Sequence, residues 1–245
     1  MLKFDEINSI QLYYEPMQIS KDDKERRIEL AELLTDAFLM FFSTYEVHQK
    51  HQSMLTKALY AQYLADRVSE AVTKVTGIDS YMSDHIKEMS RQVVNTTFEK
   101  TEAKDREQSK ADLSRTDRIA TPYYEPLDSP DSEISNGSPL MDMPDSDSDY
   151  WLSFKRAEDI AKSESNTFLN YTDYLDAKNS GKTKKTWLTM LDDKVRETHS
   201  EVEGQTIGID ESFTVGDSLM KFPHDLSESP NPREIIGCRC SVEYS

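Results

Sequence analysis

The chain is 245 residues long, 36% hydrophobic and 31% charged, and its formal net charge is −17. This length is enough for one large domain or two small ones, and so polar a composition indicates that part of the chain stays outside any packed core. Affinity for nucleic acid comes mainly from Lys and Arg that displace counterions, so the acidic balance argues against general DNA binding and leaves only a local basic patch.

The cysteines and the hydropathy indicate the cellular environment that the protein is expected to occupy. The two cysteines, Cys238 and Cys240, are one residue apart, which makes no disulfide framework and favours a reducing compartment. The longest unbroken apolar run, 37–42, is far shorter than the ~20 residues that span a bilayer. The first residues also lack the pattern of a secretory signal. We therefore expect a soluble protein made in a cytoplasm, with no membrane partner.

The first half of the chain is predicted to be helical. Residues 1–20 alternate short apolar groups with polar ones and are predicted to form an extended arm. From Lys21 onward, apolar residues recur at spacings of three and four, the period of an amphipathic helix. Three such helices are predicted: one over 21–45, one over 54–75 with a stop at Gly77, and one over 81–98 that fades into the charged run 99–112.

Two features of the first helix have alternative interpretations. Its phenylalanine-rich face, with Phe38, Phe41 and Phe42, indicates either core packing of a helical hairpin or bundle, which we favour, or binding of a partner. His48 and His51 have the spacing of a metal-binding pair. No carboxylate or cysteine cluster joins them, however, so we favour a solvated polar face.

Residues 121–149 interrupt the helical pattern. They contain five prolines, six serines and eight acidic residues, with neither Lys nor Arg. Such a segment cannot bury enough apolar area to offset the entropy lost on ordering it. We predict an acidic, flexible linker or insert, and favour a plain spacer over a docking tail.

The last part of the chain mixes helical and extended patterns. Apolar residues recur at helical spacing from Ala157 to Tyr171, and the short segments 206–209 and 213–216 are predicted strands or turns. The predicted fold class is α+β, with a mainly helical region over 1–120, the acidic linker over 121–149, and a small α+β domain over 150–245.

One group of residues near the end of the chain has the chemistry of metal ligands. His199, Cys238 and Cys240 are all donors for a soft or borderline metal. Zinc cysteines are usually two to four residues apart, and a fourth ligand would have to be His224 or a carboxylate. We favour structural thiols and a hydrogen-bonded histidine without a cofactor, with zinc as the alternative.

Two patterns around His199 suggest catalysis but are incomplete. His199 and Glu201 form the H-x-E of zinc-dependent nucleobase deaminases, yet the later P-C-x-x-C is replaced by G-C-R-C. Asp192, Arg196 and His199 would lie on one face of a helix, either as a carboxylate orienting a base or, as we favour, as an ion pair that fixes the helix, with Trp187 as a core anchor. No phosphate-binding loop or nucleophile elbow supports an enzyme.

In their order, these motifs resemble the head morphogenesis, or minor head protein, family of tailed phages, the Mu F-like type. The similarity covers about 95 residues, from S-F-K-R-A at 153–157 through K-T-W and D-D-K-V-R to C-R-C at 238–240. Gly237 stands where the family usually has Asn. The residues that the resemblance assigns to the family motif, with structural roles, are Arg156, Glu164, Lys185, Trp187, Asp192, Arg196, His199, Phe213, Pro223, Cys238, Arg239 and Cys240.

The resemblance implies a structural virion component rather than an enzyme. Such a protein would assemble in the host cytoplasm and lie inside the capsid near the portal, with an influence on DNA packaging or ejection. Its implied partners are the portal protein and the major capsid or scaffolding protein, and packaged DNA is a further candidate through the basic patch Lys178–Lys185. The alternative is a metal-dependent enzyme or nucleic-acid-modifying domain that uses His199, Glu201, Cys238 and Cys240.

Overall fold

The structure, a computed structural model, describes residues 4–15, 17, 19–50, 57–77, 82–116 and 148–245. The helices are α1 Phe4–Tyr14, α2 Lys21–Lys50, α3 Lys57–Thr76, α4 Ser83–Thr116, α5 Ser148–Trp151, α6 Phe154–Asn179, α7 Glu197–Ser200 and α8 Pro232–Ile235. The strands are β1 Lys184–Leu188, β2 Thr206–Gly208, β3 Phe213–Val215, β4 Ser218–Met220 and β5 Ser241–Tyr244. The predicted acidic segment 121–149 lies almost entirely outside the described residues, as does His51.

Helices α2, α3 and α4 form the core that the sequence periodicity predicts. Phe38, Phe41 and Phe42 are all buried among apolar residues of α3, α4 and α6. The core-packing interpretation of the phenylalanine-rich face is therefore confirmed. Helix α4 extends well past the predicted end near Phe98, because the charged run that follows is rich in Glu, Lys, Ala and Gln, which are good helix formers.

The predicted extended arm over 1–20 is wrong, because this segment contains helix α1. Ile10, Tyr14 and Met17 are buried together with Ala31 of α2. Their spacing of four and three residues matches a helical face. The face is short, so it is recognised only once its packing against α2 is known. The Tyr14 hydroxyl donates to the Lys162 carbonyl oxygen of α6 at 3.1 Å.

Helix α6 connects the helical part of the molecule to its strands. The Ser153 hydroxyl caps its first turn by accepting from the Arg156 backbone N–H. The helix packs along α2 and also contacts α1, α3 and β5. Because it is covered on more than one side, polar residues in its middle turns, such as Asn166 and Asn170, are buried along with Phe168.

The strands form two small antiparallel sheets. One has the order β2-β1-β5, and the other is the β3-β4 hairpin. In the first sheet Lys185 lies opposite Ile207 and Tyr244, and Trp187 lies opposite Val242. The strands predicted near 206–209 and 213–216 are confirmed as β2 and β3. Helical elements in the N-terminal part followed by small antiparallel sheets confirm the α+β class.

No helix among the described residues is long and apolar enough to cross a lipid bilayer.

Candidate functional site: a buried histidine and two cysteines

A buried cluster of His199, Cys238 and Cys240 is the most chemically distinctive place in the described part of the chain. The three side chains are each at most 3% exposed. His199 Nδ1 lies 3.3 Å from Cys240 Sγ and 3.6 Å from Cys238 Sγ. The donor atoms of all three residues lie within 4.8 Å of one another, so the structure brings together the ligand set that the sequence singled out.

The residues of this cluster and its cover come from three separate segments of the C-terminal domain. His199 lies on the single turn α7, while Cys238 and Cys240 immediately precede β5. The Cys240 backbone N–H donates to Cys238 Sγ at 3.4 Å, and both sulfurs lie near Nδ1 of His199. Trp187 of β1 packs edge-on against His199 with ring centroids 5.8 Å apart, and against Phe213 at 5.1 Å.

The second nitrogen of His199 faces a carboxylate. His199 Nε2 lies 3.0 Å from Glu234 Oε2, and because a carboxylate only accepts, the Nε2–H of the histidine donates this hydrogen bond. The Thr198 hydroxyl donates to the same oxygen at 2.8 Å. Glu234 therefore fixes the tautomer of the imidazole, which leaves Nδ1 directed at the two sulfurs.

The charges within the cluster favour a thiolate on Cys238. The hydrogen bond from the Cys240 thiol lowers the pKa of Cys238 well below its ordinary value of 9.0, and outweighs burial with help from His199. The pKa of Cys240 is correspondingly raised. Burial lowers the pKa of His199, but its hydrogen bond with Cys238 and the charges of Cys238 and Glu234 raise it to a net value above 6.5.

Amides of α6 hold the backbone of the C-R-C segment. Asn166 Nδ2 donates to the Cys238 carbonyl oxygen at 3.1 Å, and Asn170 Nδ2 donates to the Pro223 carbonyl oxygen at 3.0 Å. The ring of His224 lies 3.0 Å from the same Cys238 oxygen. Its two ring nitrogens therefore face Thr167 and this backbone oxygen, and His224 is not among the three residues whose ligand atoms converge.

The arrangement Cys240, His199 and Glu234 has the connectivity of a nucleophile, a base and an orienting carboxylate. A nucleophile must reach a substrate, however, and both cysteines are buried beneath Trp187 and Phe213. The cavity lined by Ser69, Met82 and Phe168 lies between α3, α4 and α6, and none of the three cluster residues lines it. The geometry therefore supports packing and ligation rather than covalent catalysis.

The predicted helix face of Asp192, Arg196 and His199 is wrong, because α7 begins only at Glu197. Residues 192–195 form a turn stabilised by the Asp192 carboxylate, which accepts from the Lys194 backbone N–H at 3.1 Å. Such side-chain acceptors compete with helix formation. Asp192 instead pairs with Arg239 at 2.7 Å, and Arg196 donates to the carbonyl oxygen of Ile236.

Glu201, the acidic residue of the H-x-E pattern, is exposed and does not join the cluster. The carboxylate beside His199 is Glu234, which sequence reasoning missed. A signal was present, because Asn231 and Pro232 mark a helix start that places Glu234 four residues before Cys238. Nothing local, however, indicates that this turn packs against α7.

Lys185 has a structural role that changes the predicted basic patch. Its ammonium group is buried and donates to the carbonyl oxygens of Ile209 and Glu211 at 2.7 and 2.6 Å, and burial lowers its pKa to about 8. Lys178 pairs with Asp210 at 2.6 Å. Of the lysines of this patch, Lys182 and Lys184 remain exposed without an ion pair within the described residues.

The two motif residues on α6 lie at the helical core, away from the cluster. Arg156 is buried, donates to Thr97 Oγ1 and the Trp151 carbonyl oxygen at 2.7 Å each, and stacks over the ring of Phe42 at 5.0 Å. Glu164 lies 2.8 Å from His85 Nε2. These residues join α6 to α4 and α2 rather than forming a site.

Gly237 has a φ of +69°, the left-handed conformation. Glycine adopts it freely, and Asn is among the few other residues that tolerate it. A Cβ at this position would meet nothing within 4 Å. The substitution of Gly for the usual Asn before C-R-C therefore conserves the backbone conformation that turns the chain into the cluster.

Comparisons with known proteins agree with these motifs. Residues 133–243, a little under half of the chain, match the family described as Phage Mu protein F like protein. The chain is also 33% identical over 94 residues to the NAD(+)--arginine ADP-ribosyltransferase EFV of Enterococcus faecalis (strain ATCC 700802 / V583). That match covers 37% of this chain and 19% of the relative, so the chain spans about a fifth of that protein's length. No solved structure matches the chain. The match over 133–243 is therefore to the Phage Mu F-like family, and it supports a protein of phage head morphogenesis.

Proposed function

We propose that this protein is a structural minor head protein of a tailed phage, which associates with the portal and the inner capsid during head assembly. The observation that carries the proposal is the family match over 133–243. Its location is then the interior of the virion near the portal, and it influences packaging or ejection of DNA through its place in the assembly.

The use of the motif residues supports a structural role. Arg156, Lys185 and Trp187 are buried, and the two cations donate to neutral oxygens of the fold. Phe213 is buried against Trp187, and the carbonyl oxygen of Pro223 accepts from α6. Residues that are retained for catalysis would instead converge on a cavity open to substrate.

We propose that each of the three predicted parts of the chain has a separate role in assembly. The helical region over 1–120 docks on the portal or capsid, the segment 121–149 is the acidic linker, and the domain over 150–245 forms a rigid head. The outer surface of α2 supports this assignment, because Met40 and Val47 are seven residues apart on one face and are 43% and 52% exposed.

Coexpression with the portal protein of the same phage, followed by size-exclusion chromatography, tests the association. We expect the two proteins to elute together. Elution in separate peaks at every salt concentration tried would refute portal binding. The charged double variant Met40→Glu, Val47→Glu asks whether α2 is the docking surface, and Leu219→Glu, at an exposed leucine of β4, is its matched control.

The name of the matched transferase does not extend to this chain. The shared segment of 94 residues is similar in size to the Mu F-like region and is 19% of that protein. We therefore propose that the two proteins share an attachment module and that the activity in the relative's name belongs to the rest of its chain. Incubation with labelled NAD and arginine substrates is expected to give no transfer above a buffer control.

A further inference from the structure

We propose that His199, Cys238 and Cys240 bind one zinc ion and that this ion stabilises the C-terminal domain. The ligands are the Nδ1 of the histidine and the two sulfurs. The role is structural, because the cluster is buried under Trp187 and Phe213.

The distances between donor atoms match a tetrahedral zinc site. Zn–S bonds of about 2.3 Å and Zn–N bonds of about 2.0–2.1 Å at tetrahedral angles place sulfur and nitrogen about 3.6 Å apart. The observed separations from His199 Nδ1 are 3.3 Å to Cys240 Sγ and 3.6 Å to Cys238 Sγ. The two nitrogen–sulfur separations are therefore within a few tenths of an ångström of those in such a site, and the two sulfurs lie within 4.8 Å of each other.

The surroundings of the cluster are those of ligands held for a metal. Metal-bound histidines usually donate their other N–H to a carboxylate, which orients the ring. Glu234 supplies that carboxylate at 3.0 Å from Nε2 and is itself held by the Thr198 hydroxyl. The Cys240 backbone N–H, directed at Cys238 Sγ from 3.4 Å, is the kind of donor that stabilises a metal-bound thiolate.

An unpaired donor at the same place supports the proposal. The buried indole N–H of Trp187 has no hydrogen-bond acceptor at normal geometry, although it lies close enough to Cys240 to act on that thiol. A buried donor without a partner costs about 1–3 kcal/mol, and thiolate sulfur with its full charge would accept from it more strongly than a neutral thiol.

Charge balance selects a divalent, thiophilic ion. Two thiolates and a neutral imidazole carry a charge of −2, which an M²⁺ ion cancels, so the ion and its three ligands together are neutral. Mixed sulfur and imidazole ligands suit zinc, whereas calcium and magnesium require oxygen ligands. The ion would link residues 39 and 41 positions apart in sequence, so its binding energy would add to the stability of the fold.

Metal analysis of the full chain tests the proposal. The protein is expressed in medium containing zinc, purified without chelator, and measured by plasma mass spectrometry. We expect one zinc per chain, a Tm that falls when the zinc is removed by a strong chelator, and recovery of that Tm on adding zinc back. Cobalt in place of zinc should give the charge-transfer absorption of thiolate–cobalt bonds.

Variants identify the ligands. Cys238→Ser and Cys240→Ser should each abolish stoichiometric binding, and His199→Gln should do the same. Glu234→Gln, which keeps all three ligands, should bind with an affinity about 10–100-fold weaker. His85→Gln, a histidine outside the cluster, is the matched control and should retain one zinc per chain.

The wild-type protein decides the matter even if a variant fails to fold. Protein that has been stripped with a chelator and titrated with zinc or cobalt should bind one ion per chain. The bound ion should protect both thiols from a thiol reagent while the protein refolds. A metal content far below one per chain, together with a Tm that zinc leaves unchanged and no thiolate–cobalt absorption, would overturn the proposal. Binding that persists when both cysteines are replaced would overturn it as well.

Discussion

Among the cationic side chains that are buried in the described part of the chain, Arg27, Arg156 and Lys185 each donate hydrogen bonds to oxygens of other segments. Arg27 is 1% exposed and donates to Asn166 Oδ1 at 3.0 Å and Asn170 Oδ1 at 2.9 Å. Lys185 is directed at two backbone carbonyl oxygens. Charges that leave water without such partners cost several kcal/mol. Each cation therefore specifies the position of the segment that supplies its acceptors.

Gly216 is a residue whose lack of a side chain the fold requires. Its φ is +60°, and a Cβ would lie 2.9 Å from Glu234 Oε1 and 3.1 Å from Thr198 Cγ2. We expect Gly216→Ala to lower the free energy of unfolding by about 2–4 kcal/mol, the sum of left-handed strain and crowding. Chemical denaturation measures this loss.

Gly204→Ala is the matched control for Gly216→Ala. Gly204 has a φ of +69° with nothing within 4 Å of the added Cβ. The substitution should therefore lower the free energy of unfolding only by the strain of the left-handed backbone, about 1–2 kcal/mol. Equal losses for the two variants would show that the contact with Glu234 carries no energy.

His85 and Glu164 form a pair whose strength depends on pH. Burial, the largest single effect, lowers the pKa of His85, but the hydrogen bond and charge of Glu164 raise it to a net value above 6.5. The folded protein thus binds this proton more tightly than the unfolded chain. The resulting stability is fully present below pH 6.5 and is lost as pH rises through the folded pKa.

Replacing His85 by Gln should remove this dependence. The free energy of unfolding lost in His85→Gln is expected to be larger near about pH 6 than near about pH 8.5, as measured by urea denaturation at each pH. Glu164→Gln should flatten the same part of the pH profile. A loss that is the same at both pH values would contradict the assigned proton linkage.

At the scale of the elements, helix α6 is the one on which both halves of the molecule depend. Both side chains, Asn166 and Asn170, accept from Arg27 of α2. Asn166 donates to the Cys238 carbonyl oxygen, and Asn170 donates to those of Pro223 and Cys240. Each amide thus joins the helical core to the C-R-C segment through one side chain. A disturbance of α2 is therefore expected to reach the buried cluster through α6.

Arg27→Ala tests this connection. It leaves the two amide oxygens and Asp173, 3.1 Å from Arg27 Nη2, without their buried partner. We expect a loss of about 3–5 kcal/mol in the free energy of unfolding, because removal of one member of a buried charged network leaves the others unpaired. Guanidinium denaturation followed by circular dichroism measures it.

Arg26→Ala is the neighbouring control. Arg26 also pairs with Asp173, at 3.4 Å, but its side chain is 33% exposed. Its removal should cost no more than about 1 kcal/mol, as is typical of exposed ion pairs. A similar cost for both variants would mean that the amides of α6 do not depend on Arg27.

For the whole molecule, the net charge of −17 argues against general DNA binding, and the predicted exception is the basic patch Lys178–Lys185. Lys185 is buried and Lys178 is paired with Asp210, so Lys182 and Lys184 are the candidates to reach phosphates. Two phosphate contacts predict a weak interaction.

The salt dependence of duplex binding, followed by fluorescence anisotropy, checks this limit. The slope of log K against log salt concentration should be no steeper than about −2, because each neutralised phosphate contributes about −0.9. Lys182→Gln with Lys184→Gln should abolish binding. A slope near about −5 would require another basic surface and would contradict the assignment to this patch.

The helices could be predicted from sequence much better than the small elements around the cluster. The periodicity from Lys21 to Phe98 identifies α2, α3 and α4, because a repeat of 3.6 residues is a local property that many residues report together. Strands of three to five residues are too short to show a clear alternation of apolar and polar residues, so the sequence does not predict β1, β4 and β5. Helix α1 was missed because a helix of 11 residues with only a short apolar face gives too few periodic positions to be told from an extended segment.

For this protein, sequence alone determined the α+β class, the phenylalanine-rich core and the ordered motifs that match the Mu F-like family. All of these depend on residue types at fixed local spacings. Tertiary structure alone decided that His199 faces two sulfurs on one side and Glu234 on the other, and that Lys185 is buried rather than exposed. Those contacts join segments more than twenty residues apart, and they follow from the packing of α6 and the sheet, which no local pattern encodes.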